Sequence, residues 1–251
     1  MLFTFSISLL TAQTSKDRLY HITTVEVPPS KFMAYEKAVT DLGEAMIAAN
    51  AQEVELHVSR TDDLTYFYAV PMDNMEELFT NKWTSTVEKV GEEKFLDLYG
   101  KVVACERDKQ EGFYLYKADL SYYHASLVGQ TQNYSVTTIY QFKPGTEKEV
   151  AELTAGINAL YKEHDISMSY SLYHGVLGPN NNITVVVRHA KDALTFAQQN
   201  VEVSKKIGEK IQPLVERLYP ILDKVETKRG SYLSKFSFVP EVPKIVAEKE
   251  D

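Results

Sequence analysis

Residues 19–27 alternate with period two. Ile22, Thr24 and Glu26 fall on one face, and His21, Thr23, Val25 and Val27 on the other, as in a strand. Pro28-Pro29 ends this strand and Ser30 stands where it can cap a helix. In that helix Phe32, Tyr35, Val39, Leu42 and Met46 recur at three- and four-residue steps, one apolar stripe. Residues 53–58 and 64–70 read as two short strands around the turn Ser59-Arg-Thr-Asp-Asp. After Pro71 a second helical stretch carries Met75, Phe79, Val87 and Val90 and stops at Gly91. A short helix to Tyr99 and strands at 102–107 and 113–117 close the first unit.

The same order then recurs. A strand at 134–142 leads through Pro144-Gly145 into a helix over 146–162 with Val150, Leu153, Ile157 and Leu160 as its stripe. Strands 166–174 and 183–189 flank the turn-forming run Gly178-Pro-Asn-Asn-Asn. A helix over 190–209 is expected to break near Gly208, with another at 211–219 and a ribbon from 222 to 238. Residues 118–133 are polar without periodicity and read as a linker between units at 19–117 and 134–238. Residues 239–251 read as a charged tail.

The wording echoes as well as the order. Tyr20-His-Ile-Thr-Thr-Val resembles Tyr134-Ser-Val-Thr-Thr-Ile at an offset of 114, and Gly112-Phe-Tyr-Leu resembles Gly230-Ser-Tyr-Leu at 118. A nearly constant offset over a hundred residues points to duplication. Each half reads βαββαβ, the ferredoxin-like plan, with two helices on one face of an antiparallel sheet. The second sheet face, carrying residues such as His21, Val25, Val54, Leu56 and Val58, is too apolar to face water. Two sheets in one chain can cover each other as a closed body. The fold class is therefore α+β, with two ferredoxin-like units in tandem.

On these residues the chain resembles the dimeric α+β barrel superfamily in a fused form, over roughly residues 19–238. The resemblance rests on architecture and stripes, not on a catalytic motif. It implies a small-molecule cavity between sheet and helices, in each half or retained in only one. The superfamily includes cofactor-free monooxygenases and haem enzymes. The monooxygenases use an Asn–Trp–Arg type of set; Asn81 and Trp83 do not reproduce it, since i and i+2 on a helix point apart. The haem peroxidases place a proximal histidine on a C-terminal-half helix, and residues 190–209 hold none, so no cofactor is expected.

The net charge of -8 argues against a nucleic-acid surface, which needs concentrated positive charge. The opening Met1-Leu-Phe-Thr-Phe-Ser-Ile-Ser-Leu-Leu-Thr-Ala is too short to span a bilayer and resembles the end of an export signal over residues 1–15. Export to a bacterial periplasm or beyond is the expectation, with no membrane span. Cys105 is the single cysteine, so neither an intrachain disulfide nor a cysteine metal site is possible. The chain is expected as a monomer or homodimer.

Candidate chemistry concentrates in the first half. Glu53, Glu55 and His57 alternate along an expected strand, and a carboxylate beside an imidazole orients it as a general base. His57, Glu55 and His21 are the candidate catalytic residues; Glu53, Trp83, His189 and Arg188 are candidate ligand contacts. No metal site is expected. His164 at a helix end reads as a partner of the helix dipole. The leading reading is an exported binder of a small apolar or aromatic molecule. The alternatives are a cofactor-independent monooxygenase-like oxidoreductase and an interaction protein whose cavities are filled.

Overall fold

A computed structural model describes residues 16–177 and 182–239. The apolar opening and the charged tail lie outside these residues, apart from Val239. Nine strands and five α-helices follow in the order β1 (Arg18–Glu26), α1 (Phe32–Ala48), β2 (His57–Thr61), β3 (Thr65–Met72), α2 (Thr84–Val90), α3 (Glu92–Val103), β4 (Asp108–Tyr116), β5 (Tyr122–Tyr123), β6 (Tyr134–Phe142), α4 (Glu147–Glu163), β7 (Ser169–Leu177), β8 (Ile183–Ala190), α5 (Ala193–Leu218) and β9 (Leu222–Tyr232). No helix among the described residues is long and apolar enough to cross a membrane.

The sheet order is β4-β1-β3-β2-β9-β6-β8-β7, and β4 also pairs with β7, so eight antiparallel strands close into a barrel. Closure leaves these strands no free edge. Two seams join the halves. At one, β2 meets β9 from Ser59↔Tyr232 to Thr61↔Gly230; at the other, β4 meets β7 from Phe113 to Tyr116 across a bulge.

Alternation along each strand sorts side chains between two environments. Val25 on β1 and Val27 just beyond it face outward and are buried under α1 and α3 with Tyr35, Val58, Tyr66 and Val102. Tyr20, Ile22, Thr24 and Glu26 face the barrel interior. In the second half, Ile166, Met168 and Ile207 fill one helix-side core, and Val150, Leu153 and Ile221 another.

Several expected boundaries move. Residues 102–107 are not a strand: α3 runs to Val103, and β4 is one strand from Asp108. The expected turn at Ser59 is strand, and the chain reverses instead around Leu64, at φ 62°. The stretch after Pro71 divides into a 3-10 turn (Met75–Phe79) and α2. α5 does not break at Gly208 but continues through Pro213 to Leu218. A helical glycine costs only about 1 kcal/mol, and the stripe of Ile207, Ile211 and Leu214 packed on the core holds the helix across it. Residues 118–133 carry buried Tyr122 and Leu127, and Ser121 accepts from Asn158 through its carbonyl at 3.0 Å.

The repeat register also shifts. At an offset of 114, Ile22 inside the barrel matches Val136, which is on the helix side and 2% exposed. An offset of 115 carries Tyr20, Ile22, Thr24 and Glu26 onto the interior positions Ser135, Thr137, Ile139 and Gln141. It also carries the first residue of α1 onto that of α4, both 17 residues long. A one-residue slip in a strand exchanges its faces, so the similar wording aligns side chains that do different work.

The last described residues cross into the first half. Beyond β9, Leu233 N donates to Val58 O at 2.8 Å, and Leu56 and Phe238 exchange two backbone bonds at 2.7 and 2.8 Å. Phe236, 5% exposed, sits in the core of Val25, Tyr35 and Val58. Gly230 lets β9 approach β2: a Cβ there would lie 2.2 Å from the Arg60 carbonyl oxygen. Gly230→Ala should destabilise the protein by about 1–3 kcal/mol through overpacking. Phe236→Ala should cost about 3–5 kcal/mol. Both are read from urea unfolding midpoints, and in both variants the halves should unfold in one transition.

Candidate functional site: the barrel interior

The barrel encloses a cavity of about 530 Å³ with walls from both halves. It lies inside the barrel, rather than between sheet and helices as the resemblance implied. The cause is side-chain size. Large residues such as Tyr35, Tyr66, Leu153 and Met168 fill the helix-side spaces completely. Many interior positions hold small or β-branched residues, among them Thr24, Ser59, Ala69, Thr137 and Ser171.

Apolar residues form the waist of the cavity: Ile22, Phe67, Ile139, Val185 and Val187. Because all neighbours are antiparallel, the starts of β1, β2, β6 and β7 share one rim with the ends of β3, β4, β8 and β9. Tyr20, His57, Ser135, His189 and Tyr232 gather towards that rim. Glu26, Asp108, Gln141, Lys224 and Glu226 gather towards the other.

His57 opens β2 and lines the cavity. Its Nε2 lies 2.8 Å from Glu55 Oε1, and Arg18 donates to both Glu55 oxygens at 3.4 and 3.1 Å. The His57 bond and the Arg18 charge hold the Glu55 carboxyl below the usual range, against a burial penalty that raises it. An ionised Glu55 can only accept, so Nε2 carries the proton in the neutral imidazole and Nδ1 keeps its lone pair. Nδ1 makes no hydrogen bond among the described residues. The Tyr232 ring lies 6.4 Å from the imidazole, and Tyr20 packs edge-on against Tyr173 at 5.7 Å. Burial raises the phenol pKa of Tyr20, Tyr173 and Tyr232, so these hydroxyls stay neutral.

His189, on the next-to-last position of β8, is a different kind of histidine. Its ring faces the cavity and makes no hydrogen bond among the described residues. Desolvation lowers its pKa from the ordinary 6.5 to about 4. It is therefore neutral near pH 7 and presents one donor and one acceptor nitrogen.

The opposite rim is organised by ion pairs. Lys228 donates to Asp63 at 2.6 Å and lies 3.4 Å from Glu226; Lys224 lies 3.3 Å from Glu226. Burial works against the Asp63 charge, but hydrogen bonds from Lys228, Thr61 and Thr65 outweigh it and hold the carboxyl down to about 2. Glu26 pairs with Arg107. No group of three or more His, Cys, Asp or Glu side chains among the described residues is placed to hold a metal.

The expected site residues separate. Glu55, His57 and His189 belong to the cavity end. Glu53 does not: it accepts from Ser85 at 3.2 Å and pairs with Lys89 on α2. The reason is that β2 begins only at His57, so the alternation assumed from residue 53 is not maintained. His21 is on the outer face of β1, stacked 4.8 Å from Phe113 and 3.2 Å from Glu111. Arg188 also points outward, donating to Asn200 at 2.9 Å over the Phe196 ring. Trp83 precedes α2 and packs on the helix-side core. His164 caps α4, 2.7 Å from Lys210 Nζ. Sequence reading missed Arg18, Tyr20, Tyr173 and Tyr232; alternation along β1 and β9 is the signal that could have found two of them.

Protonation links this end to stability. Between pH 6.5 and about 4 the unfolded chain protonates His189 while the folded chain does not, so stability falls as pH falls through that window. Glu55 adds stability above its ordinary pKa and loses it as pH drops through its lowered folded value. Urea unfolding at pH 4–7 should show a shallower pH dependence in His189→Gln than in the wild type. An unchanged slope would mean that His189 is solvated in the folded protein.

Comparison with family models and with curated sequences gives no match. Solved structures do match. An anthrone oxidase-like protein superposes with a TM-score of 0.58 at 12% identity, over 86% of this chain and 91% of that one. A provisionally named monooxygenase from Lactobacillus acidophilus gives 0.53 at 10% identity, over 86% and 94%. Another from Fusobacterium nucleatum gives 0.52 at 15% identity, over 86% and 92%. At these identities the likeness is one of fold: an α+β body built around a closed barrel of eight strands.

Proposed function

We propose that this protein binds a small, partly apolar molecule inside the barrel. The observation that carries this reading is the cavity itself. Its volume of about 530 Å³ lies within the roughly 300–1,000 Å³ of small-molecule sites, and its apolar waist leads to a few convergent polar groups. A filled interaction scaffold would not leave that space.

The oxidoreductase alternative has its own support. The His57–Glu55 pair is a positioned proton acceptor. The fold is shared with proteins named as monooxygenases and as anthrone oxidase-like. In a cofactor-independent oxygenase, the waist would desolvate an aromatic substrate and His57 would take its proton. We further propose that the halves are ferredoxin-like units fused in tandem. The orders β4-β1-β3-β2 and β9-β6-β8-β7, with the common shift of 115, support this. Export, suggested by the opening residues, and a monomeric working unit complete the reading.

One barrel gives one site per chain, whereas a pocket in each half would give two. Calorimetric titration with single-ring and two-ring aromatic compounds should give a stoichiometry near one. Val187→Trp, which fills the waist, should weaken binding at least about tenfold while the protein stays folded. Binding unaffected by Val187→Trp would place the site elsewhere.

A further inference from the structure

Resting on the reading of the cavity as a binding site, we infer that it selects a weakly acidic hydroxyl compound, a phenol or enol, and takes up its proton on His57 Nδ1. The argument begins with charge. Arg18 and Glu55 already form a neutral pair at 3.1 Å, so a proton arriving on His57 creates a positive charge that this pair does not cancel. The group best able to cancel it is an anion in the cavity, facing Nδ1.

The direction of transfer follows from the hydrogen bonds. Nε2–H is committed to Glu55, and Nδ1 has no partner among the described residues. The ligand O–H bond breaks, its electron pair stays on oxygen and the proton forms an N–H bond at Nδ1. No oxidant or further reactant is required. The groups around His57 are Glu55 on its own segment, Arg18 and Tyr20 on β1, and Tyr232 on β9. None of the three ring hydroxyls near this end is an anion that would repel the product.

His189 supplies a second feature of the ligand. It is half-buried, uncharged and without a hydrogen-bond partner among the described residues, and lines the same end of the cavity from the other half of the chain. A ligand that shut water out of this end would leave its ring nitrogens unpaired unless it offered them a partner. A ligand with a second oxygen, carbonyl or hydroxyl, would do so. Being neutral, His189 can donate to that oxygen without adding a second cation opposite His57.

The test uses the whole protein with 4-nitrophenol, whose phenolate absorbs visible light, and its methyl ether 4-nitroanisole, which cannot ionise. Bound 4-nitrophenol should titrate at least about one pH unit below the free compound, as expected for an acid gaining an opposite charge. His57→Gln should abolish this shift while still binding 4-nitroanisole, which shows that the cavity survives. Glu55→Gln should reduce the shift, and His21→Gln, on the outer face, should leave it unchanged. If both compounds bind equally and 4-nitrophenol keeps its free titration, the inference is wrong and the cavity reading stands. If neither binds, both are wrong.

Discussion

Everything in this molecule depends on the seam where β9 lies against β2. Two four-stranded sheets could each hold their helices, but neither could hide its inner face alone. The seam works at close quarters, because only a residue without a Cβ can sit opposite the Arg60 carbonyl. Just past it, Leu233, Phe236 and Phe238 pack with Leu56 and Val58 in a core that otherwise belongs to the first half. Lys235 adds a charge clamp, 2.5 Å from Glu36, which also accepts from Arg60 and Tyr66. Pulling the halves apart would therefore expose a core, not only break strand hydrogen bonds.

Enclosure gives the cavity its chemistry. The alternation that sends Val25 outward into a packed core sends Thr24 and Glu26 inward. With the strands closed, these inward groups face one another across the cavity. This explains how two histidines at the same end can differ. His57 has a carboxylate and, behind it, a guanidinium; His189 has only desolvation. The same imidazole is oriented by a carboxylate in one place and kept neutral by desolvation in the other.

The fold was more readable in the sequence than the site. Helical stripes and strand periodicity are local, so α1 and α4 could be placed from the stripes that carry Tyr35, Met46 and Leu153, and most strands from alternation. Closure into a barrel was expected from a second apolar face carrying Val25, Leu56 and Val58, but these pack under the helices and the interior face carries Ile22, Thr24 and Ser59 instead. The echo between β1 and β6 was visible, but at an offset of 114 it matches residues on opposite faces, because similar words in two strands do not reveal which face each residue takes. The Glu55–His57 pair could be read because its members are two apart on one chain segment. Alternation could have turned Tyr20 and Tyr232 inward, but the Arg18–Glu55 contact could not be read, since only the closed fold brings its two distant segments together. His21 misled for the complementary reason: its identity suggested chemistry, while its parity along β1 placed it outside.

The crossing of the last described residues into the first half has a consequence for how the protein is made. Phe236 leaves the ribosome more than two hundred residues after β1 begins. Until then the first half lacks the Phe236 ring in its core and the second neighbour of β2. An N-terminal unit that folded during synthesis would do so with these positions unfilled. A chain that has to delay its own completion in this way has reason to depend on factors that keep nascent polypeptides from associating.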